Sequence, residues 1–189
     1  MMGSMLRRGF VLVGGRSSRM GRDKALLPAG GRTLVEQTAD YVKQAAGNVT
    51  LIGPPDRYGF LGLPVIPDVA EGFGPLAGLC TALRNTAAEW NLIVACDMPA
   101  LNAELLRKLL ESAESAGKDC LVPSSARGIE PLCAVYHARI LPVVESALNR
   151  KLLRMQDFVR QLDHEIWPVE DAGLVRNVNT PEEFAAETR

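Results

Sequence analysis

Short apolar runs bounded by glycine, proline or asparagine recur along the chain at 10–13, 49–52, 64–66, 91–95, 119–122, 132–137 and 165–169. Runs of this length and character read as strands buried on both faces. Between most of them, apolar positions fall at helical spacing. Leu34, Thr38, Tyr41, Val42 and Ala45 mark the inner face of a helix over 33–46, and helices are also predicted over 76–84, 102–116, 141–148 and 152–162. Asn102 is placed to cap the helix that follows it. Thr180, Pro181, Glu182 and Glu183 open a terminal helix with a cap, an N1 proline and an acidic first turn. This alternation predicts an α/β domain with a mainly parallel sheet and helices on both faces. Ligands gather at the carboxyl ends of strands in such sheets, so the polar residues after each apolar run carry the functional information.

The run at 10–13 leads into Gly14, Gly15, Arg16, Ser17, Ser18, Arg19, Met20, Gly21, Arg22, Asp23 and Lys24. Gly14 and Gly15 let the chain turn and bring backbone N–H groups close to a ligand. Arg19 and Lys24 add two cations, a combination suited to a polyphosphate. A loop shaped only for packing accounts for the glycines but not for both charges. No Gly-Lys-Ser/Thr occurs, so a Walker-type cradle is excluded. The glycine spacing also misses that of dinucleotide-binding folds.

The chain has 189 residues, enough for one domain with a real core; residues 1–8 read as a leader and 9–189 as the domain. Met1 to Met5 read as a flexible leader or a cloning remnant. A net charge of −1 gives no general attraction to nucleic acid or membrane. Phosphate recognition must then be local. The four cysteines, Cys80, Cys96, Cys120 and Cys133, form no C-x-x-C and sit among apolar neighbours, which favours buried reduced thiols over zinc or disulfides. The segment 6–13 is too short and too interrupted for a signal peptide or membrane span, and the chain reads as cytoplasmic.

Asp97 follows the run at 91–95 and precedes Pro99 by two residues. A lone carboxylate at such a strand end suits a hard divalent cation, Mg2+ above all; capping the next helix is its alternative role. Asp68, after the run at 64–66, is suited to a base or sugar contact or to a turn. Gly74 to Gly78 reads either as a close-approach loop at a helix N-terminus or as a tight turn. Asn179 reads as an amide contact or as the cap of the terminal helix. His137 and His164 lack partners in the pattern and read as structural. Arg150, Lys151, Arg154 and Arg160 read as the solvated face of a helix whose other face is Leu153, Phe158 and Leu162.

Taken together, these segments resemble the nucleotidyltransferases that attach a nucleotide to molybdopterin, the molybdenum cofactor guanylyltransferases. Their opening L-A-G-G-x-S-x-R-M-G-x-D-K is matched by Leu12, Gly14, Gly15, Ser17 or Ser18, Arg19, Met20, Gly21, Asp23 and Lys24. Their G-P-L-A-G is matched by Gly74 to Gly78, their C-D-x-P by Cys96 to Pro99, and their N-x-N-T-P-E by Asn177 to Glu182. The likeness runs from residue 10 to about 185, and four motifs in this order are far more specific than the first alone. Two departures stand out. Val13 replaces the usual alanine and is expected to narrow the space beside the nucleotide. Ile52-Gly53-Pro54-Pro55 stands where some guanylyltransferases carry an asparagine.

The resemblance implies a three-layer, Rossmann-like nucleotidyltransferase fold and a magnesium-dependent transfer of GMP from GTP to the terminal phosphate of molybdopterin. It implies catalytic roles for Arg19, Lys24 and Asp97, with Asp97 holding Mg2+. Nucleotide contacts are implied for Leu12, Val13, Gly14, Gly15, Lys24, Asp68, Gly78 and Asp97, and weaker acceptor contacts for Asn177 and Asn179. Gly14 favours guanine, since cytidylyltransferase relatives usually carry alanine there. Partners so implied are GTP, molybdopterin or the molybdenum cofactor, and proteins of cofactor biosynthesis or molybdoenzyme maturation. The alternatives are a CTP-dependent molybdopterin cytidylyltransferase, another small-molecule phosphate nucleotidyltransferase, and a non-catalytic nucleotide sensor or docking protein.

Overall fold

The computed structural model describes residues 7–14, 23–69, 72–178 and 183–184. Of the leader expected over residues 1–8, residues 1–6 lie outside them and Arg7 and Arg8 belong to the first strand; the loop residues Gly15, Arg19 and Gly21, Asn179, and the opening of the terminal helix also lie outside. The strands are β1 (Arg7–Leu12), β2 (Pro28–Ala29), β3 (Arg32–Thr33), β4 (Thr50–Ile52), β5 (Val65–Ile66), β6 (Trp90–Ala95), β7 (Cys120–Ser125), β8 (Gly128–Ile129), β9 (Cys133–His137) and β10 (His164–Pro168). The helices are α1 (Leu34–Ala46), α2 (Pro55–Tyr58), α3 (Pro75–Arg84), α4 (Ala103–Ala116), α5 (Leu141–Asn149) and α6 (Met155–Val159).

The main sheet runs β10-β7-β9-β6-β1-β4-β5, with β8 attached to β7. Its long strands are parallel except β9, which lies antiparallel between β6 and β7. Central strands are buried on both faces because successive side chains point to opposite sides. Val11, Leu51, Leu92 and Val94 meet α1 and α4 on one side. Phe10, Ile52, Ile93 and Tyr136 meet α3, α5 and α6 on the other. The three-layer α/β architecture expected from the alternation is therefore present.

Local chemistry sets the helix ends. Thr33 Oγ1 accepts from the Glu36 amide at 3.4 Å, and Glu36 Oε2 accepts from the Thr33 amide at 2.8 Å, a reciprocal cap for α1. Asn102 caps α4, accepting from the Leu105 amide at 2.9 Å. Thr33→Ala is expected to cost about 1 kcal/mol in denaturant unfolding at neutral pH. That cost should shrink in acid. The hydrogen bonds from Thr33 hold the Glu36 carboxyl below its ordinary range, so their stabilisation is present above that range and fades as pH falls through the folded value.

Some boundaries differ from the pattern. β1 begins at Arg7 rather than Phe10, because Arg7 and Arg8 pair in register with Trp90 and Asn91 of β6. The helix expected over 152–162 is only α6. Lys151 has φ 58° and Arg154 is extended, so the chain leaves helical geometry before Met155. The basic residues therefore do not share one helix face: Arg150 ends α5, Lys151 occupies the turn, and Arg154 and Arg160 flank α6. The hairpin of β2 and β3, the short strand β8 and the one-turn α2 are additions that no periodicity marked. His137 caps the turn after β9, accepting from the Arg139 amide at 3.1 Å, and packs edge-on against Trp90. His164 Nδ1 lies 2.9 Å from the Leu162 carbonyl. Both act structurally. All four cysteines are buried free thiols, and burial pushes Cys96 and Cys133 up to about 12, which leaves them unreactive.

Candidate active site

The strand order reverses between β1 and β6: β1 is followed in sequence by β4 on one side of it, while β6 flanks it on the other. A crevice opens outside the carboxyl ends of strands at such a point. Val13 and Gly14 leave β1 there, and Cys96 and Asp97 leave β6.

Lys24 arrives from the same loop as Gly14. It begins a 3₁₀ turn, Lys24–Leu26, that is anchored by buried Ala25. Its Nζ lies 3.6 Å from Asp97 Oδ2, an ion pair beyond close hydrogen-bond range. In sequence these residues are separated by the β2–β3 hairpin, three further strands and three α-helices; the sheet joins them. The Asp97 backbone is fixed as well, its carbonyl accepting from the Val178 amide at 2.8 Å. Asp97 Oδ1 is buried and has no hydrogen-bond partner among the described residues. Burial raises the Asp97 carboxyl above its ordinary range, and Lys24 opposes that rise. Asp97 does not cap α4; Asn102 does.

Asn177 reaches the same region from the loop before Val178. Its Nδ2 donates to Glu130 Oε2 at 3.1 Å. A carboxylate only accepts, so Glu130 turns the Asn177 amide to present its oxygen elsewhere. That oxygen is buried and unpartnered among the described residues. Glu130, between β8 and β9, was not singled out in the sequence. Burial raises its carboxyl, Asn177 opposes this, and the charge of Asp97 adds to it, which places the two carboxylates within electrostatic reach. A cleft of about 330 Å³ continues outward from Glu130 and Asn177, walled by Pro75, Leu132, Leu153 and Arg154 among others. A larger hollow of about 460 Å³ between α4 and β10 holds no basic side chain and lies away from these residues. Among the described residues no group of three or more His, Cys, Asp or Glu converges on one point. A cation here would take one or two protein oxygens and fill its shell from water and substrate, as magnesium does.

The remaining candidates shape the crevice. Gly14 has φ 95°, a conformation that L side chains rarely adopt. Val13 is 4% exposed, within the core beside α1 and α4. Its branched side chain therefore fills core space rather than narrowing the crevice, which corrects the expectation from sequence. The sharper constraint falls on Gly53, where an added Cβ would sit 2.2 Å from the Val13 carbonyl oxygen. Gly53→Ala is expected to push the β1 loop outward, at a cost of about 2 kcal/mol in stability with weaker nucleotide binding; thermal melts and titration calorimetry check both. Gly78 allows α3 to approach β1, since a Cβ there would lie 2.9 Å from Leu12 Cδ2. Asp68 follows β5 and is engaged with α3, its Oδ1 lying 3.0 Å from Thr81 Oγ1.

A lysine and a carboxylate thus meet at the switch point of a mainly parallel sheet, beside a glycine turn, and among the described residues no histidine or serine constellation accompanies them. The fold matches nucleotidyltransferases: the molybdopterin-guanine dinucleotide biosynthesis protein A of Archaeoglobus fulgidus superposes with a TM-score of 0.82, at 26% identity over 96% of each chain. The 2-C-methyl-D-erythritol 4-phosphate cytidylyltransferase of Thermus thermophilus shares the fold at a TM-score of 0.70 and 19% identity, over 97% of this chain and 98% of its own. Residues 9–166 match the MobA-like NTP transferase domain, and the chain belongs to that family. It is a nucleotidyltransferase. A probable molybdenum cofactor guanylyltransferase of Carboxydothermus hydrogenoformans is 39% identical over 92% of this chain and 91% of its own. One from Bacillus subtilis is 33% identical over 93% of this chain and 91% of its own. No helix among the described residues is long and apolar enough to cross a membrane.

Proposed function

We propose that the protein transfers GMP from GTP to the terminal phosphate of molybdopterin and releases pyrophosphate. The observation that carries this reading is the meeting of Lys24 and Asp97, 3.6 Å apart at the β1–β6 crevice. The names of its relatives supply the guanine nucleotide and the acceptor. In the reaction an oxygen of the acceptor phosphate bonds to the α-phosphorus of GTP as the bond from that phosphorus to pyrophosphate breaks. The attacking monoester is already anionic at neutral pH, so no side chain has to remove a proton. Alignment and charge neutralisation remain as the protein's work.

Lys24 grips the triphosphate and offsets the charge that builds on the leaving pyrophosphate. Arg19 does the same by resemblance. The turn at Gly14 brings backbone donors to the nucleotide. Asp68 lies two strands over, about 10 Å from β1 at ordinary strand spacing, a separation that suits the base or ribose end. Magnesium fits Asp97, whose Oδ1 is a hard oxygen buried without a partner among the described residues. Bound there, the ion supplies Lewis-acid polarisation of the phosphate oxygens. Asn177, held by Glu130, faces the acceptor in the adjoining cleft, with Asn179 by resemblance.

The test is pyrophosphate release with molybdopterin and magnesium, using GTP, CTP, ATP and UTP in parallel. Release with GTP alone is expected. Release with CTP keeps the chemistry and overturns the base assignment, and silence with all four overturns the acceptor.

A further inference from the structure

We infer that Tyr58 is a positioning residue for Lys24, acting through Asp23. This rests on the reading that Lys24 grips the nucleotide phosphates. Asp23 immediately precedes Lys24, and a neighbouring carboxylate is a natural competitor for the lysine's charge. The structure commits Asp23 elsewhere. Its Oδ1 accepts from the Ala25 amide at 3.1 Å and caps the turn that Lys24 begins. Its Oδ2 accepts from the Tyr58 hydroxyl at 2.7 Å and stands 3.5 Å from the Arg57 guanidinium. Held at both oxygens, Asp23 fixes the backbone of the turn, and the Lys24 side chain extends to Asp97.

Tyr58 reaches this position from α2, in the connection between β4 and β5. It is fully buried, with 0% exposure. Burial, then the bond to Asp23, push its hydroxyl above the ordinary phenol range, so it remains a donor. Filling the core explains an aromatic ring there. It does not explain a hydroxyl aimed at a carboxylate 35 residues away in sequence. The bond is charge-assisted and partly buried, the kind that holds geometry well.

The experiment measures kcat and KM for GTP, with molybdopterin and magnesium, and GTP binding by calorimetry. The proteins are the wild type, Tyr58→Phe, Lys24→Ala and the double variant. Tyr58→Phe should keep the fold, shown by an unfolding transition close to wild type, and lower kcat/KM about tenfold. In the Lys24→Ala background the same change should add no more than about twofold. The dissociation constant for GTP should show the same non-additivity. A Tyr58 effect that carries over in full, or a Tyr58→Phe enzyme as active as wild type, overturns the proposal while a crippled Lys24→Ala keeps the Lys24 reading. An unimpaired Lys24→Ala removes both. If Tyr58→Phe does not fold, Asp23→Asn decides the matter, since it keeps an oxygen for the Ala25 cap but loses the charge that Tyr58 and Arg57 hold. It should reproduce both the loss and the non-additivity, and an unaffected Asp23→Asn overturns the clamp.

Discussion

Asp97→Ala is expected to end magnesium-dependent pyrophosphate release, with turnover falling by on the order of a thousandfold or more. The fold should survive the change. Asp97 sits where burial works against its charge, and its carboxyl is raised above the ordinary range despite Lys24. A group whose folded pKa is raised contributes stability that is fully present below its unfolded value and lost as pH rises through the folded one, so its ionised form works against the fold. Asp97→Asn, which keeps the shape and removes the charge, should therefore melt no lower than wild type at pH 7 and be nearly as inactive as the alanine variant. Binding of Mn2+, followed by electron paramagnetic resonance, should weaken in step with activity in both variants. Ordinary turnover at ordinary magnesium concentration in either variant would remove Asp97 from the site. In the wild type, a raised carboxyl also means that protons compete with the cation at a higher pH than for an exposed aspartate. The magnesium concentration needed for half-maximal rate should rise as the solution is acidified.

Lys24→Ala is expected to lower kcat/KM for GTP by on the order of a hundredfold to a thousandfold. Its loss removes a charge from the phosphates and also from beside Asp97. Because Lys24 pulls the Asp97 carboxyl down, the variant should lose its remaining activity at a higher pH than wild type as acid is added. A pH–rate profile shows this displacement directly. Lys24→Arg should recover part of the binding but less of the rate, since a planar guanidinium presents its donors differently from an ammonium. An unchanged kcat in Lys24→Ala would take this residue out of the mechanism.

The strands at 91–95 and 132–137 were legible because central strands, buried on both faces, must be written in almost unbroken apolar residues. The helix over 33–46 was legible because its apolar stripe is intact and Thr33 and Glu36 sit at capping distance in sequence. The stretch at 152–162 misled for the converse reason. Met155, Phe158, Val159 and Leu162 all enter the core, but Leu152 joins it from a turn, so apolar spacing persisted where helical geometry did not. In the site, Lys24 and Asp97 were legible one at a time, as polar groups at the ends of strands. Glu130 was not, because its meaning lies in Asn177, 47 residues away. Tyr58 was not singled out either, for the same reason. A side chain whose role is to orient another carries no local pattern.

The reversed strand β9 has a consequence of its own. Because it runs against its neighbours, its beginning, at Glu130 to Cys133, faces the crevice where every other long strand ends. One wall of the cleft, at Ile129 to Leu132, thus follows the β7–β8 hairpin, whereas the loops at Asp68 and Asp97 each connect a strand to a crossover helix. Grafting a longer or shorter turn between β7 and β8, at Ser125 to Gly128, would redraw that wall without rethreading any helix across the sheet. That stretch of wall and the Lys24–Asp97 pair therefore sit on separately exchangeable parts of the scaffold.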